Sequence, residues 1–295
     1  MSEIKKIFVV GSGFMGTGIS QVALTAGYEV TQYDISMDIV NRSHSNLDKN
    51  LTKLVSKGRL TEEDKAAALG RLSVCDQLSA AADADMVIEA APENMDLKKD
   101  IFRQLSEFCR NDTIFASNTS SISITELSSV VKNPKRFVGM HFFSPVPMMK
   151  LLEVVKGLCT SKDTVKTAKA VGQKLGKTPI TVKDSPAFTV NRMLVPMMND
   201  AASLLEAGIS SIEDIDTGAR LGLNHPMGPL ELMDFTGIDV AMAAMETIFR
   251  ETGEPRFKPC QLLLDMRRMG WLGRKTGIGF YIYHEDGTRT PNPDL

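Results

Sequence analysis

Two groups of residues in this 295-residue chain have types and spacings that suit chemistry. The first is an imidazole with a carboxylate. His141 follows the apolar run 136–140, and Glu153 lies inside another, Leu151-Leu152-Glu153-Val154-Val155. Between them is the proline-rich turn Ser144-Pro145-Val146-Pro147-Met148-Met149. A hairpin centred near Pro147 sets Glu153 directly across from His141, with Cβ atoms about 5 Å apart. An unpaired carboxylate inside an apolar strand is costly, and the pairing accounts for both residues. A carboxylate beside an imidazole favours the imidazolium, which suits a proton shuttle near neutral pH. It equally suits a pair that only stiffens the hairpin. The other histidines, His44, His225 and His284, lie in polar helix, turn and tail contexts.

The second group is Gly11-x-Gly13-x-x-Gly16, fed by the apolar run Ile4–Val10 and followed eighteen residues later by Asp34. Gly11 permits a sharp turn out of a strand, and Gly13 removes the side chain that would block a pyrophosphate. Gly16 lets the next helix lie close to the sheet with its N-terminal N–H groups on the phosphates. Asp34 ends a second apolar run and can accept both ribose hydroxyls of an adenosine. The glycine pattern alone is weak; strand, helix and acid in the right order make it a nicotinamide-dinucleotide site. Asp34 would repel a 2′-phosphate, and Ile35, Ser36 and Met37 supply no cation for one, so the reading is NAD over NADP.

Elements that could position these groups alternate strand and helix through residue 184. Helix one carries Ile19, Val22, Ala23 and Ala26 on one stripe and ends near Gly27. Further strands are expected at 72–75, 86–89, 113–117, 136–141, 150–155 and 179–183. Continuous apolar strands in β-α repetition predict an α/β, Rossmann-like, doubly wound and mostly parallel sheet covered on both faces. Residues 36–71 interrupt it with two polar helical patterns broken at Lys57-Gly58-Arg59, an inserted helical hairpin projecting from the sheet. At Asp184-Ser185-Pro186 the texture changes. A helix is expected to start at Pro186 behind a Ser cap and to run to Gly208, with a kink at Pro196. Helical patterns continue at 211–221, 228–250 and 259–270. The expected domains are therefore 1–184, dinucleotide-binding, and 185–295, an all-α unit. Its Met-rich stripe favours a core over a subunit interface.

Composition narrows the class. With 43% hydrophobic and 24% charged residues the chain reads as folded and globular. A net charge of −2 and no basic tail argue against nucleic acid as a partner. No stretch reaches eighteen uninterrupted apolar residues, so no membrane span is expected. The first strand begins by residue 4, which leaves no room for a leader, and the four scattered cysteines read as reduced thiols of a cytoplasmic protein. No metal-ligand spacing is present.

Ligands of open α/β sheets sit beyond the carboxyl ends of strands. Strand 113–117 runs into Asn118-Thr119-Ser120-Ser121 there, and Asn191 lies on the polar edge of the first C-terminal helix. On spacing alone both are ambiguous: Ser123-x-x-Glu126 is a capping box that accounts for part of the serine cluster, and a helix-edge Asn is ordinarily solvated.

The chain resembles the L-3-hydroxyacyl-CoA dehydrogenases. The residues that carry the likeness are Val10-Gly11-Ser12-Gly13-Phe14-Met15-Gly16-Thr17-Gly18-Ile19, Ser117-Asn118-Thr119-Ser120-Ser121, His141-Phe142-Phe143-Ser144-Pro145, Asn191-Arg192, Asn224-His225-Pro226-Met227-Gly228-Pro229 and Gly273-Arg274-Lys275-Thr276-Gly277-x-Gly279-Phe280-Tyr281. They lie in collinear order over all but the last dozen or so residues, and the short-chain bacterial members are the most similar. The resemblance implies reversible NAD-dependent oxidation of an (S)-3-hydroxyacyl-CoA, 3-hydroxybutyryl-CoA in the short-chain members, to the 3-ketoacyl-CoA. It implies His141 as general base, Glu153 as its orienting partner, and Ser120 and Asn191 as hydrogen bonders to the reacting oxygen or thioester. It puts Phe14, Met15, Glu93, Lys98, Ser144 and Lys275 at the cofactor, with Ser120 beside them. It puts Asn50 and Lys57 on the helical hairpin near CoA; Lys53, one turn before Lys57, would add to a small cationic spot for CoA phosphates, the alternative for Lys57 being a solvated helix face. It also implies a homodimer through the helical domain. Three departures stand out. Ser144 replaces an Asn common in relatives, Ala187 replaces the Gly before Phe188, and the tail His284–Leu295 is longer and receives no role. Competing functions are a same-fold dehydrogenase of free hydroxy or sugar acids and a non-catalytic, crystallin-like relative.

Overall fold

The apolar runs become one eight-stranded sheet: β1 (Lys6–Val10), β2 (Glu29–Tyr33), β3 (Leu72–Cys75), β4 (Met86–Glu89), β5 (Ile114–Ser117), β6 (Phe137–Phe142), β7 (Leu151–Lys156) and β8 (Thr178–Lys183). In space the order is β3-β2-β1-β4-β5-β6-β7-β8. All neighbouring pairs are parallel except β6 with β7. The computed structural model describes residues 3–295 and separates two units, one ending at Phe188 and the other spanning Thr189–Leu295.

Six helices cover the sheet: α1 (Phe14–Thr25), α2 (Met37–Ser56), α3 (Glu62–Leu69), α4 (Met95–Phe108), α5 (Ile124–Ser128) and α6 (Lys162–Lys174). Side chains alternate between the faces of a strand, and the core divides accordingly. Ile7, Val9, Met86 and Ile88 pack with Ile19 of α1, Leu47 of α2 and Val171 of α6. Phe8, Val87, Phe115 and Phe137 pack with Phe102 of α4 and Leu127 of α5. Fully burying side chains of this size contributes about 1.5–3 kcal/mol each. The insertion is less free of the sheet than its polar sequence suggests. Leu47 and Leu51 of α2 are fully buried in the first of these cores, so α2 packs on the body and turns only its polar face outward.

The second unit holds α7 (Val190–Glu206), α8 (Ile212–Thr217), α9 (Pro229–Thr236), α10 (Ile238–Thr252) and α11 (Gln261–Arg268). The first helix starts four residues later than expected. Ala187 and Phe188 have φ of 62° and 56°, a left-handed backbone that cannot belong to a right-handed helix. The pattern at 228–250 splits into α9 and α10 at Gly237, whose φ is 99°. Helix α8 runs on into a π-helical turn, Gly218–Gly222. Most methionines of this unit, including Met198, Met233, Met242, Met245 and Met266, are core residues, while Met193 and Met269 are exposed.

The tail is structured. Tyr281–Tyr283 (β9) and Arg289–Pro291 (β10) form an antiparallel pair, tied down by two buried carboxylates. Asp216 accepts from the Leu230 and Glu231 N–H groups and the Tyr281 hydroxyl at 2.9, 3.0 and 2.7 Å. Asp234 accepts from the Phe280 and Tyr281 N–H groups and the Tyr283 hydroxyl at 3.0, 2.9 and 3.0 Å. Two motif glycines follow from this. A Cβ at Gly228 would overlap the Asp216 carboxylate, and one at Gly279 would overlap that of Asp234. Burial pushes the Asp234 carboxyl up to about 6, against the hydrogen bonds that favour its charge.

Candidate active site

Strands β1, β2, β4, β5 and β6 all run the same way, so their carboxyl ends share one sheet edge, and the order reverses between β1 and β4. At β1 the chain turns through Gly11, φ 96°, where a Cβ would lie 2.6 Å from the Ala90 carbonyl oxygen. A Cβ at Gly16 would overlap the Gly11 carbonyl, so only glycine lets α1 start this close. At Gly13, the N-cap of α1, a Cβ would meet nothing within 4 Å. That position faces open space, and α1 begins without a side-chain cap on its N–H groups. Asp34 is held by the Ser12 and Ile35 N–H groups at 2.7 and 2.8 Å. An open glycine turn, uncapped helix N–H groups and a fixed carboxylate fit the pyrophosphate and adenosine ribose of NAD. Phe14 is 69% exposed, whereas Met15 packs against the core.

The hairpin places the imidazole and carboxylate as expected. His141 pairs in register with Glu153, and its Nδ1 lies 2.7 Å from Glu153 Oε2. Glu153 is fully buried and His141 is 6% exposed. The rings of Phe143 and Phe188 flank the imidazole, with centroids 4.6 and 5.7 Å away. Nδ1 being engaged, Nε2 is the nitrogen that can exchange a proton with a ligand. The Ser144–Pro145 peptide is cis, and Ser144 is exposed. Buried Lys177 donates to the carbonyls of Val146 and Met149, fixing this turn.

At the ends of β4 and β5 lies a second, partly exposed cluster. Glu93 Oε1 accepts from the Thr119 hydroxyl at 2.6 Å and from the Ser120 and Ser121 N–H groups at 3.0 and 3.2 Å. The Ser121 hydroxyl donates at 3.0 Å, and that of Ser120 only at 3.4 Å. Burial would push the Glu93 carboxyl up, but the Lys98 charge and these donors outweigh it and hold it below the usual range. Lys98 is itself buried, its ammonium paired with Glu89, so Glu93 rather than Lys98 is the group left towards the surface.

Other expected contacts are dispersed. Asn50 donates to Gln21 of α1 at 3.1 Å, while Lys53 and Lys57 are exposed at the end of α2. Asn191 and Lys275 belong to the second unit: Asn191 sits in the first turn of α7, and Lys275 pairs with Asp239 of α10. Sequence reasoning named Asn118 at the end of β5 without a role, and missed Glu89, Lys177 and Asp184. Asn118 Oδ1 accepts the Phe142 N–H at 2.9 Å, next to His141. Asp184 accepts from the Ser123 hydroxyl and the Ile124 and Thr125 N–H groups, which docks α5. Of these, only Glu89 carried a signal, a charge closing the apolar run Met-Val-Ile-Glu.

Two family profiles match in tandem. Residues 6–185 match the 3-hydroxyacyl-CoA dehydrogenase NAD binding domain, and residues 188–283 match the 3-hydroxyacyl-CoA dehydrogenase C-terminal domain. The chain is 44% identical to a probable 3-hydroxybutyryl-CoA dehydrogenase of Bacillus subtilis, over 96% of this chain and 99% of that protein. It is 45% identical to the 3-hydroxybutyryl-CoA dehydrogenase of Clostridioides difficile, over 95% of this chain and all of the other. Among solved structures, the (S)-3-hydroxybutyryl-CoA dehydrogenase of Ralstonia eutropha superimposes with a TM-score of 0.94 at 45% identity. The match covers 96% of this chain and 100% of that one.

Proposed function

Since the chain belongs to the 3-hydroxyacyl-CoA dehydrogenase family and uses NAD, we propose that it interconverts an (S)-3-hydroxyacyl-CoA, 3-hydroxybutyryl-CoA foremost, with the 3-ketoacyl-CoA. One observation carries the reading: His141 Nδ1 on buried Glu153 at 2.7 Å, on the sheet edge that bears the Gly11–Gly16 turn and Asp34. The substrate names come from relatives at 44–45% identity.

Bound NAD supplies the hydride acceptor. The protein's share is the proton. With Nδ1–H donated to Glu153, neutral His141 presents the Nε2 lone pair to the C3 hydroxyl and takes its proton as the hydride leaves. The Glu153 carboxylate then stabilises the imidazolium, and in the reverse direction Nε2 returns the proton to the ketone oxygen. Phe143 and Phe188 keep the ring in place and shed water from it. The loosely held Ser120 hydroxyl is free to donate to the reacting oxygen. The same duty is proposed for Asn191 on the resemblance alone. Gly11, Gly13, Gly16, Phe14, Met15 and Asp34 hold the dinucleotide, with Glu93, Ser144 and Lys275 assigned to its nicotinamide half. Asp34, fixed by two N–H groups, disfavours a 2′-phosphate. Exposed Lys53 and Lys57, with Asn50, are assigned to CoA.

We also propose a cytoplasmic homodimer formed through the helical unit, whose surface carries Leu221, Leu223, Phe235 and Val240 at 56–82% exposure. Light scattering on the purified protein checks the dimer. Activity is tested by NADH absorbance with acetoacetyl-CoA and with free acetoacetate, in wild type and His141→Gln. Turnover of the thioester and a loss of at least ~10²-fold in the variant are expected. Equal turnover of the free acid, or a smaller loss, sinks the reading.

A further inference from the structure

Glu89 lies at the carboxyl end of β4 with no solvent exposure, beside the equally buried ammonium of Lys98. Its Oε1 takes the Lys98 charge and the Ala91 N–H at 2.7 Å, and its Oε2 accepts the Ser117 hydroxyl at 2.6 Å. Lys98 also donates to the Ala91 carbonyl at 3.1 Å, and Glu93 Oε2 stands further off, at 3.5 Å. Two carboxylates thus compete for one buried cation, and Glu89 has the closer hold. The consequence falls on Glu93, whose other oxygen gathers Thr119, Ser120 and Ser121.

We propose that Glu89 is a positioning residue: by neutralising Lys98 from behind, it leaves Glu93 free to hold the Ser120 loop at the sheet edge. A buried ammonium without Glu89 would need a full counter-ion, and Glu93 is the carboxylate within reach. Drawn onto Lys98, it would release the Ser120 and Ser121 N–H groups. Ser117 and Asn118 tie the same stretch to Glu89 and to the backbone beside His141, so a shift there reaches the proton-transfer group. The inference rests on the dehydrogenase reading for its kinetic arm only.

The test compares Glu89→Gln, Ser117→Ala and the charge-balanced double variant Glu89→Gln/Lys98→Met with wild type. NADH affinity is read by fluorescence titration, kcat with acetoacetyl-CoA, and folding by circular dichroism. Glu89→Gln is expected to weaken NADH binding and lower kcat by about tenfold or more while remaining folded. Ser117→Ala removes one tie of this stretch but keeps the Glu89 charge, and should lose less than Glu89→Gln; an equal or larger loss overturns the charge argument. The double variant removes both charges and should recover most of the loss. A folded Glu89→Gln with wild-type affinity and kcat, or a double variant no better than the single, overturns the proposal. Should Glu89→Gln not fold, the double variant decides: within threefold of wild type supports it, a tenfold deficit refutes it. If wild type binds NADH but does not turn over acetoacetyl-CoA, the dehydrogenase reading fails while the titration still judges Glu89.

Discussion

Each unit of this protein buries carboxylates, and the two units use them differently. In the sheet unit, Glu153 and Glu89 face titratable side chains, His141 and Lys98. In the helical unit, Asp216 and Asp234 face backbone N–H groups and tyrosine hydroxyls, and buried Glu231 faces the guanidiniums of Arg289 and Arg274, whose charge is permanent. A carboxylate opposite an imidazole can follow a proton that comes and goes. One opposite peptide N–H groups has partners that never change state, and serves to fix a chain crossing. Burial of an acid is therefore a poor guide to function by itself; the partner's chemistry decides.

The contrast can be broken by mutation. The largest effect is expected for His141→Gln, about 10³-fold in turnover of acetoacetyl-CoA, with the urea midpoint moving far less in proportion. Glu153→Gln should follow at 10- to 10²-fold, the share of a charge-assisted partner. Asp216→Asn should do the reverse. With two N–H groups and a hydroxyl facing an amide, it should cost about 3 kcal/mol in urea unfolding and spare the turnover of molecules that remain folded. A loss of activity without loss of stability would erase the distinction.

Asp234 sharpens the comparison through pH. Its folded carboxyl, at about 6, lies above the unfolded value near 3.8, so the folded chain binds the proton more readily. Its contribution to stability is complete below about pH 4 and is lost as pH rises through 6. Between pH 7 and pH 5 this group should add about 1 kcal/mol, seen as a difference in urea midpoint that Asp234→Asn abolishes. The smallest effect is expected at Ala187. A Cβ at φ 62° is strained, and Ala187→Gly should gain up to about 1 kcal/mol on the same assay.

Much of the sheet unit was legible because its signals are local. Apolar runs bounded by turn residues gave strands to within two residues, and one proline-rich turn was enough to bring Glu153 opposite His141. The carboxylate network of the helical unit was not, because Asp216 meets residues 14 to 65 positions away and nothing in a helical period records such partners. Glu89 failed for the same reason: its acid was visible, but Lys98 was placed at the cofactor on the resemblance, and nothing local records that its ammonium is buried against Glu89. The left-handed pair Ala187-Phe188 was hidden because neither residue type advertises that backbone. The hairpin tail was hidden because its strands are three residues each.

One consequence concerns insertions and deletions. Facing positions in β6 and β7 match His141 to Glu153 and Phe142 to Leu152. Slipping one strand by a single residue would bring Leu152 or Val154 opposite the imidazole and swing the acid through to the far side. Grafts at the exposed tip, between Pro147 and Met148, should therefore be tolerated while the strands keep their alignment. A one-residue excision inside either strand should silence the protein without emptying its core.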